Sequence, residues 1–334
     1  MAQRKDISIQ FIAEKCGVST ATVSRVLNSD RRVSDKTRAR VWEALNEYHY
    51  VAPASARANP RIGVIIDSEL SDYYMALVTK VRTYMKQAAL QTLLISLGND
   101  ASSLSACLDT LYDSGVSGVV LISCSCQSIR EQLRPDLPHV WIDCNDPYEQ
   151  TRDICQVQSD QYYSGVLSAR EFLKKGCRRP IILTGSSVTH RAIERERGFR
   201  DAFAEAGVTV SDDQIVRLSS AAQDVLAETR RTLQYMVYQK AEFDCVFAIS
   251  DWRALGAYLT LTELGLRVPE DVKLIGYDGV SAASRSALNI TSVQQNIDRI
   301  ALSACELLLK LLRGEPIAQR RVIVPTDILP GQTI

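Results

Sequence analysis

Between residues 19 and 25 the chain places Ser19, Thr20, Thr22, Ser24 and Arg25 around Ala21. Short hydroxyls reach phosphate oxygens, and an arginine fork can pair with the acceptor edge of a base, so this cluster has the chemistry of a nucleic-acid groove. A second polar set lies further along. Apolar runs end in Asp67-Ser68, Ser123, Asp143, Ser250-Asp251 and Asp278. Polar groups at the carboxyl ends of strands are where open α/β sheets bind ligands. The bland alternative is that strands become polar simply on leaving the core.

The elements that must position the first set are short helices. Ile9, Ile12 and Ala13 form one apolar helical stripe, and Val18, Val23, Val26 and Leu27 form another. Gly17 lies between them, where a tight turn needs freedom from Cβ strain, and Ser19 follows as an N-cap. That spacing predicts a helix-turn-helix, whose second helix enters the major groove. A third helix is expected after Ser34, with Val41, Leu45 and Tyr48 at helical spacing. Three short helices bury little surface, so this head should be marginally stable. Residues 52–60, small, polar and bounded by Pro53 and Pro60, then read as a linker.

The second set needs strands. Ile62–Asp67, Thr92–Ser96, Val119–Ser123, Val140–Asp143, Ile181–Gly185, Val246–Ser250 and Leu274–Asp278 are near-continuous apolar runs separated by amphipathic stretches. Such runs predict parallel sheets covered on both faces, most economically two doubly wound lobes.

Composition agrees. The chain has 334 residues, 46% hydrophobic and 23% charged, which suits a globular protein of more than one domain. A net charge of zero conceals an asymmetry: residues 1–60 hold ten basic and six acidic side chains, so the head is basic and the body acidic. No apolar run is long enough to span a bilayer, and MAQRKDIS lacks a secretory core, which points to a cytoplasmic protein. Nine cysteines without metal-ligand spacing point to reduced thiols and no bound metal. There is no nucleophile elbow, phosphate-binding glycine loop or paired catalytic histidine; His49, His139 and His190 stand apart. No enzymatic activity and no cofactor are expected.

The motifs GVSTATVSRVLN, VSDKTRARV, IGVI at 62–65, RERGF at 195–199, SDWRALG at 250–256, VPEDVKLIGYDG at 268–279 and TSVQQN at 291–296 occur in one order over nearly the whole chain. In this the sequence resembles the lactose-repressor (LacI/GalR) family of bacterial transcription regulators. The resemblance implies an α/β architecture in which an all-α helix-turn-helix headpiece (1–50) and a hinge (51–60) precede a bilobed, periplasmic-binding-protein-like core (61–334). The first lobe would hold about 61–158 and 292–320, the second about 159–291 and 321–334, with three crossings between them. It implies homodimers, since the chain stops soon after its last core segment. These would bind near-palindromic double-stranded operator DNA, usually as repressors, under control of a small effector, most often a sugar or sugar derivative.

Residue by residue, the resemblance makes Thr20, Ala21 and Arg25 base contacts. The chemistry agrees: Arg25 suits guanine O6 and N7, while Ala21 and the Thr20 methyl suit a thymine methyl. Ser19, Thr22 and Ser24 would hold phosphates. For the effector it nominates Asp72, Tyr73 and Tyr74 after the first strand, Arg195 of RERGF, Ser250 and Asp251, Asp278 of the GYD segment, and Asp143 at another strand end. Carboxylates and an arginine fork suit polyol hydroxyls, and aromatic faces cover sugar rings. The competing structural reading is that Arg195 forms an ion pair and Asp251 caps its helix, with Trp252 packing beside it. Two departures stand out. The linker is several residues shorter than the family's and lacks the leucine that wedges the minor groove, and Phe11 replaces a usual acid. An alternative to the regulator is a small-molecule-binding protein with little regulated DNA binding.

Overall fold

The computed structural model describes residues 8–27, 33–48, 50, 60–67, 71–97, 104–185, 189–218, 225–280 and 288–334. The linker expected at 51–60 lies outside them, apart from Pro60.

The head is three helices, α1 (Ile9–Lys15), α2 (Thr20–Leu27) and α3 (Asp35–Glu47). Ile12, Ala13, Val23, Val26, Val41 and Leu45 are buried together, so the predicted stripes form one small core. Gly17 has φ +57° in the turn, a left-handed conformation that side chains resist. Ser19 Oγ accepts from Thr22 N at 3.1 Å and Ser34 Oγ accepts from Thr37 N at 3.3 Å, capping the next two helices. Phe11 has a structural reason here. Its ring meets Tyr48 edge-on at 5.2 Å, with Lys15 Nζ over both rings.

The body is two sheets. The first orders β2 (Gln91–Ser96), β1 (Arg61–Ile66), β3 (Val116–Ile122), β4 (His139–Ile142), β5 (Gln156–Ser159) and β11 (Arg321–Val324), all parallel. The second orders β7 (Ile215–Leu218), β6 (Pro180–Gly185), β8 (Cys245–Ala248), β9 (Lys273–Asp278), β10 (Ser292–Gln294) and an antiparallel β12 (Asp327–Leu329).

Side chains alternate into a core on each face. Ile62, Val64 and Ile66 pack on α4 (Asp72–Gln87) and α11 (Ile297–Leu312), while Ile65, Val119 and Leu121 meet α5 (Leu104–Asp113) and the short α6 (Cys126–Ile129). In the second lobe Ile182, Phe247 and Ile275 face α7 (Gln161–Lys174) and α8 (His190–Glu205); Ile181, Leu183 and Val246 face α9 (Val225–Tyr238) and α10 (Asp251–Glu263).

The lobe boundaries differ from the sequence expectation at the C-terminal end. β10 at 292–294 belongs to the second sheet, and β11 at 321–324 to the first. Strands of three and four residues are too short for their apolar pattern to reveal which sheet they join. The three crossings fall near residues 160, 295 and 325 and are tied together. Ser159 Oγ bonds Gln295 Oε1 at 2.7 Å, Asp160 N donates to Val324 O at 2.9 Å, and Ser164 Oγ meets Thr326 Oγ1 at 3.0 Å.

Candidate effector cleft and DNA-reading helix

Helix α2 shows two faces. Val23, Val26 and Leu27 point into the head core, while Ser19, Thr20, Ala21 and Arg25 are exposed and Thr22 and Ser24 half-exposed. Ser19 and Thr22 bond each other at 2.9 Å, and Ser19 also caps the helix, so their hydroxyls are partly engaged. Arg25 is exposed, while its helix neighbours Val23 and Val26 are buried in the head core.

The cleft lies at the carboxyl edges of both sheets. Ser123, Asp143 and Asp278, at the ends of β3, β4 and β9, have φ of 56°, 53° and 110°. Side chains rarely adopt such angles, and strain held at strand ends marks functional loops. From the first lobe, Tyr73 Oη donates to Asp143 Oδ2 at 2.9 Å, and Tyr74 Oη donates to Ser123 Oγ at 3.0 Å. Asp143 is fully buried, and its Oδ1 has no hydrogen-bond partner among the described residues. Burial and then the Asp143 charge push the Tyr73 phenol well above its usual pKa.

From the second lobe, the guanidinium carbon of Arg195 stands over the Tyr277 ring, 3.4 Å from its centre. Its Nε and Nη2 donate to Gln161 Oε1 at 3.1 and 2.6 Å, and Nη1 to Ile249 O at 3.3 Å. The helices α7 and α8 make this possible by crossing very closely. A Cβ on Gly198 would stand 2.0 Å from Tyr162 O, and one on Gly165 2.0 Å from Arg195 O. The glycine of RERGF thus brings α8 down until Arg195 reaches Gln161. No ion pair holds Arg195, so the acidic partner considered from sequence is absent among the described residues.

Asp251 accepts from Ser292 Oγ at 2.6 Å and from Val280 N at 2.9 Å, in space that Gly276 leaves open. Burial lifts its carboxyl to about 6 despite those donors. Ser250, rather than Asp251, caps α10, accepting from Arg253 N at 3.3 Å. Asp278 accepts from Gln295 Nε2 at 2.9 Å at the crossing segment. Burial, then the neighbouring Asp251, pushes its carboxyl well above the usual range, while Arg195 opposes the shift. Asp72 begins α4 exposed, and Trp252 is exposed on α10; neither joins these networks among the described residues.

The sequence reading missed Arg191. It sits on α8 four residues before Arg195, on the same helix face. Its Nη2 donates to Asn145 Oδ1 at 2.7 Å and to Ser123 Oγ at 3.0 Å, and Nη1 donates to Tyr74 Oη at 3.3 Å. Asp143 Oδ2 is 3.6 Å from Nη1. Burial works against this charge, but Tyr74 and Asp143 outweigh it and hold the guanidinium above its ordinary pKa. Gln161, Asn145 and Tyr277 were missed with it. The helical spacing of Arg191 and Arg195 was the one available signal.

Known proteins share both parts of this arrangement. The model for bacterial regulatory proteins of the lacI family matches residues 8–52, and that for a periplasmic binding protein-like domain matches residues 169–334. The HTH-type transcriptional repressor PurR of Edwardsiella ictaluri is 30% identical over 90% of this chain and 89% of its own. The chain belongs to the LacI family. This LacI-family member is therefore a DNA-binding transcription regulator with an effector-binding core, and not an enzyme. It is also 29% identical to the ribose operon repressor of Escherichia coli over 96% of both chains. The transcriptional regulator CelR, solved with cellobiose, superposes with a TM-score of 0.72 at 25% identity, covering 98% of this chain and 99% of that one. A Lac repressor dimer bound to operator superposes at 0.71 and 21% identity, covering 98% and 99%, a likeness of fold. No described helix of this LacI-family chain is long and apolar enough to cross a membrane.

Proposed function

We propose that this protein is a cytoplasmic homodimeric repressor that reads a near-palindromic operator through α2 and releases or tightens on it when a neutral sugar binds between the lobes. Arg25, Thr20 and Ala21 contact bases, with Ser19, Thr22 and Ser24 at the phosphates. The effector touches Tyr73, Tyr74 and Asp143 on one wall and Arg195 and Asp278 on the other. Asp251 and Ser250 brace the second wall instead of meeting ligand, because their oxygens already accept from Ser292, Val280 and Arg253.

The observation that carries the effector class is a set of buried polar atoms without partners. Among the described residues, Asp143 Oδ1 lacks a donor, while Arg191 Nε and Gln161 Nε2 lack acceptors. A hydroxyl both donates and accepts, so one kind of ligand group serves all three. A phosphate or carboxylate would face the Asp143 charge without a proton to offer it. The relatives named for ribose and solved with cellobiose support the sugar reading.

A melting-shift screen of neutral mono- and disaccharides against their phosphates tests it. A neutral sugar should raise the melting temperature, and Asp143→Asn should remove most of that rise. Stabilisation by sugar phosphates alone would contradict the assignment.

A further inference from the structure

A clamp of two lobes closes when something touches both walls at once. Here a side chain of the protein does so. Arg191 is anchored on α8 in the second lobe, yet every partner of its guanidinium belongs to the first: Tyr74 on α4, Ser123 after β3, and Asp143 and Asn145 after β4. Arg195, one turn further along, stays within its own lobe.

The receiving wall is built in advance. Tyr74 Oη donates to Ser123 Oγ at 3.0 Å, Tyr73 Oη to Asp143 Oδ2 at 2.9 Å, and Asn145 Nδ2 to Ser123 O at 2.7 Å. Ser123 and Asp143 hold their acceptors from left-handed backbone positions. The Arg191 side chain is 14% exposed and Asp143 not at all, so these bonds form largely out of water, where charge-assisted contacts are strong. One backbone bond runs beside them: His190 N donates across to Asn145 O at 3.3 Å.

We infer that Arg191 is the positioning residue that draws the two lobes together, a tethered guanidinium making the cross-cleft contact otherwise left to a bound effector. It is set against four acceptors on the facing wall, and a ligand entering the cleft has to share them with it. The equilibrium between open and closed lobes is then biased by the chain itself, and an effector adds only its differential affinity on top of that bias. The sharing step rests on the cleft being the effector site. The closure itself does not.

The His190 amide reports closure directly, because its acceptor lies on the other lobe. Amide hydrogen exchange of the full chain, with no sugar added, is the test. Arg191→Ala should raise exchange at His190 at least about tenfold, the factor that loss of one charge-assisted bond corresponds to, with the amides of β3 and β6 unchanged. Fraying of α8 alone could produce that rise, so the other wall is tested separately. The double variant Tyr74→Phe, Ser123→Ala leaves α8 intact and should also raise exchange at His190. Methylguanidinium added to Arg191→Ala should restore protection, which a mere local defect would not show. Unchanged exchange in either variant, or a rise in Arg191→Ala that methylguanidinium leaves untouched, would overturn the inference. A sugar screen without a binder would sink the effector reading and leave these outcomes standing.

Discussion

Asp251 shows how a conspicuous motif residue acts through its surroundings. Both carboxylate oxygens point inward, one to Ser292 Oγ and one to Val280 N, and burial lifts the carboxyl from 3.8 to about 6. A carboxyl raised on folding favours the folded state when protonated. Its contribution is full below the unfolded value and fades as pH climbs through the folded one. Stability should therefore fall between about pH 4 and pH 6 by on the order of 3 kcal/mol from this group, then level off. Asp251→Asn keeps the shape, since its amide can face Ser292 and its oxygen Val280. That variant should flatten the slope in urea titrations across this range. An unchanged slope would show that the charge is not held as described.

At the scale of elements, the crossing of α7 and α8 sets where Arg195 and Arg191 point. Gly198 touches the backbone of Tyr162, and backbone has little room to yield. Gly198→Ala should cost about 3 kcal/mol through overpacking and lower the melting temperature by several degrees. A variant that melts with the wild type would mean the helices can separate freely.

The same scale explains what was legible beforehand. Strands such as Val116–Ile122 and Pro180–Gly185 announce themselves because both faces are buried and nearly every residue is apolar. β5, Gln156-Val157-Gln158-Ser159, is just as buried but polar, with Gln156 bonded to Thr151 and Ser159 to Gln295, so hydropathy hides it. Arg195 and Asp278 could be nominated because motifs carry them. Arg191 offered only its one-turn spacing from Arg195, and Gln161 offered nothing, since their roles arise only where two lobes or two helices meet.

For the whole molecule, a basic head on an acidic body confines phosphate attraction to one end. Operator binding should weaken steeply with salt, while any sugar response, arising in a cleft shielded from bulk ions, should not. Linkage adds a constraint. A sugar that changes operator affinity must itself bind with affinity changed by the same factor when operator is present, so paired titrations have to agree. A sugar that binds equally well with and without operator would mean that head and cleft act independently.

The proposed reading of operator bases rests on Arg25 of α2, and the most direct measurement of it is a paired titration. Wild type and Arg25→Ala are titrated with an operator selected by the wild type and with random duplex at the same salt. Loss of roughly 1–3 kcal/mol on the operator, with random-duplex binding nearly unchanged, is the predicted result. Equal losses on both DNAs would contradict it.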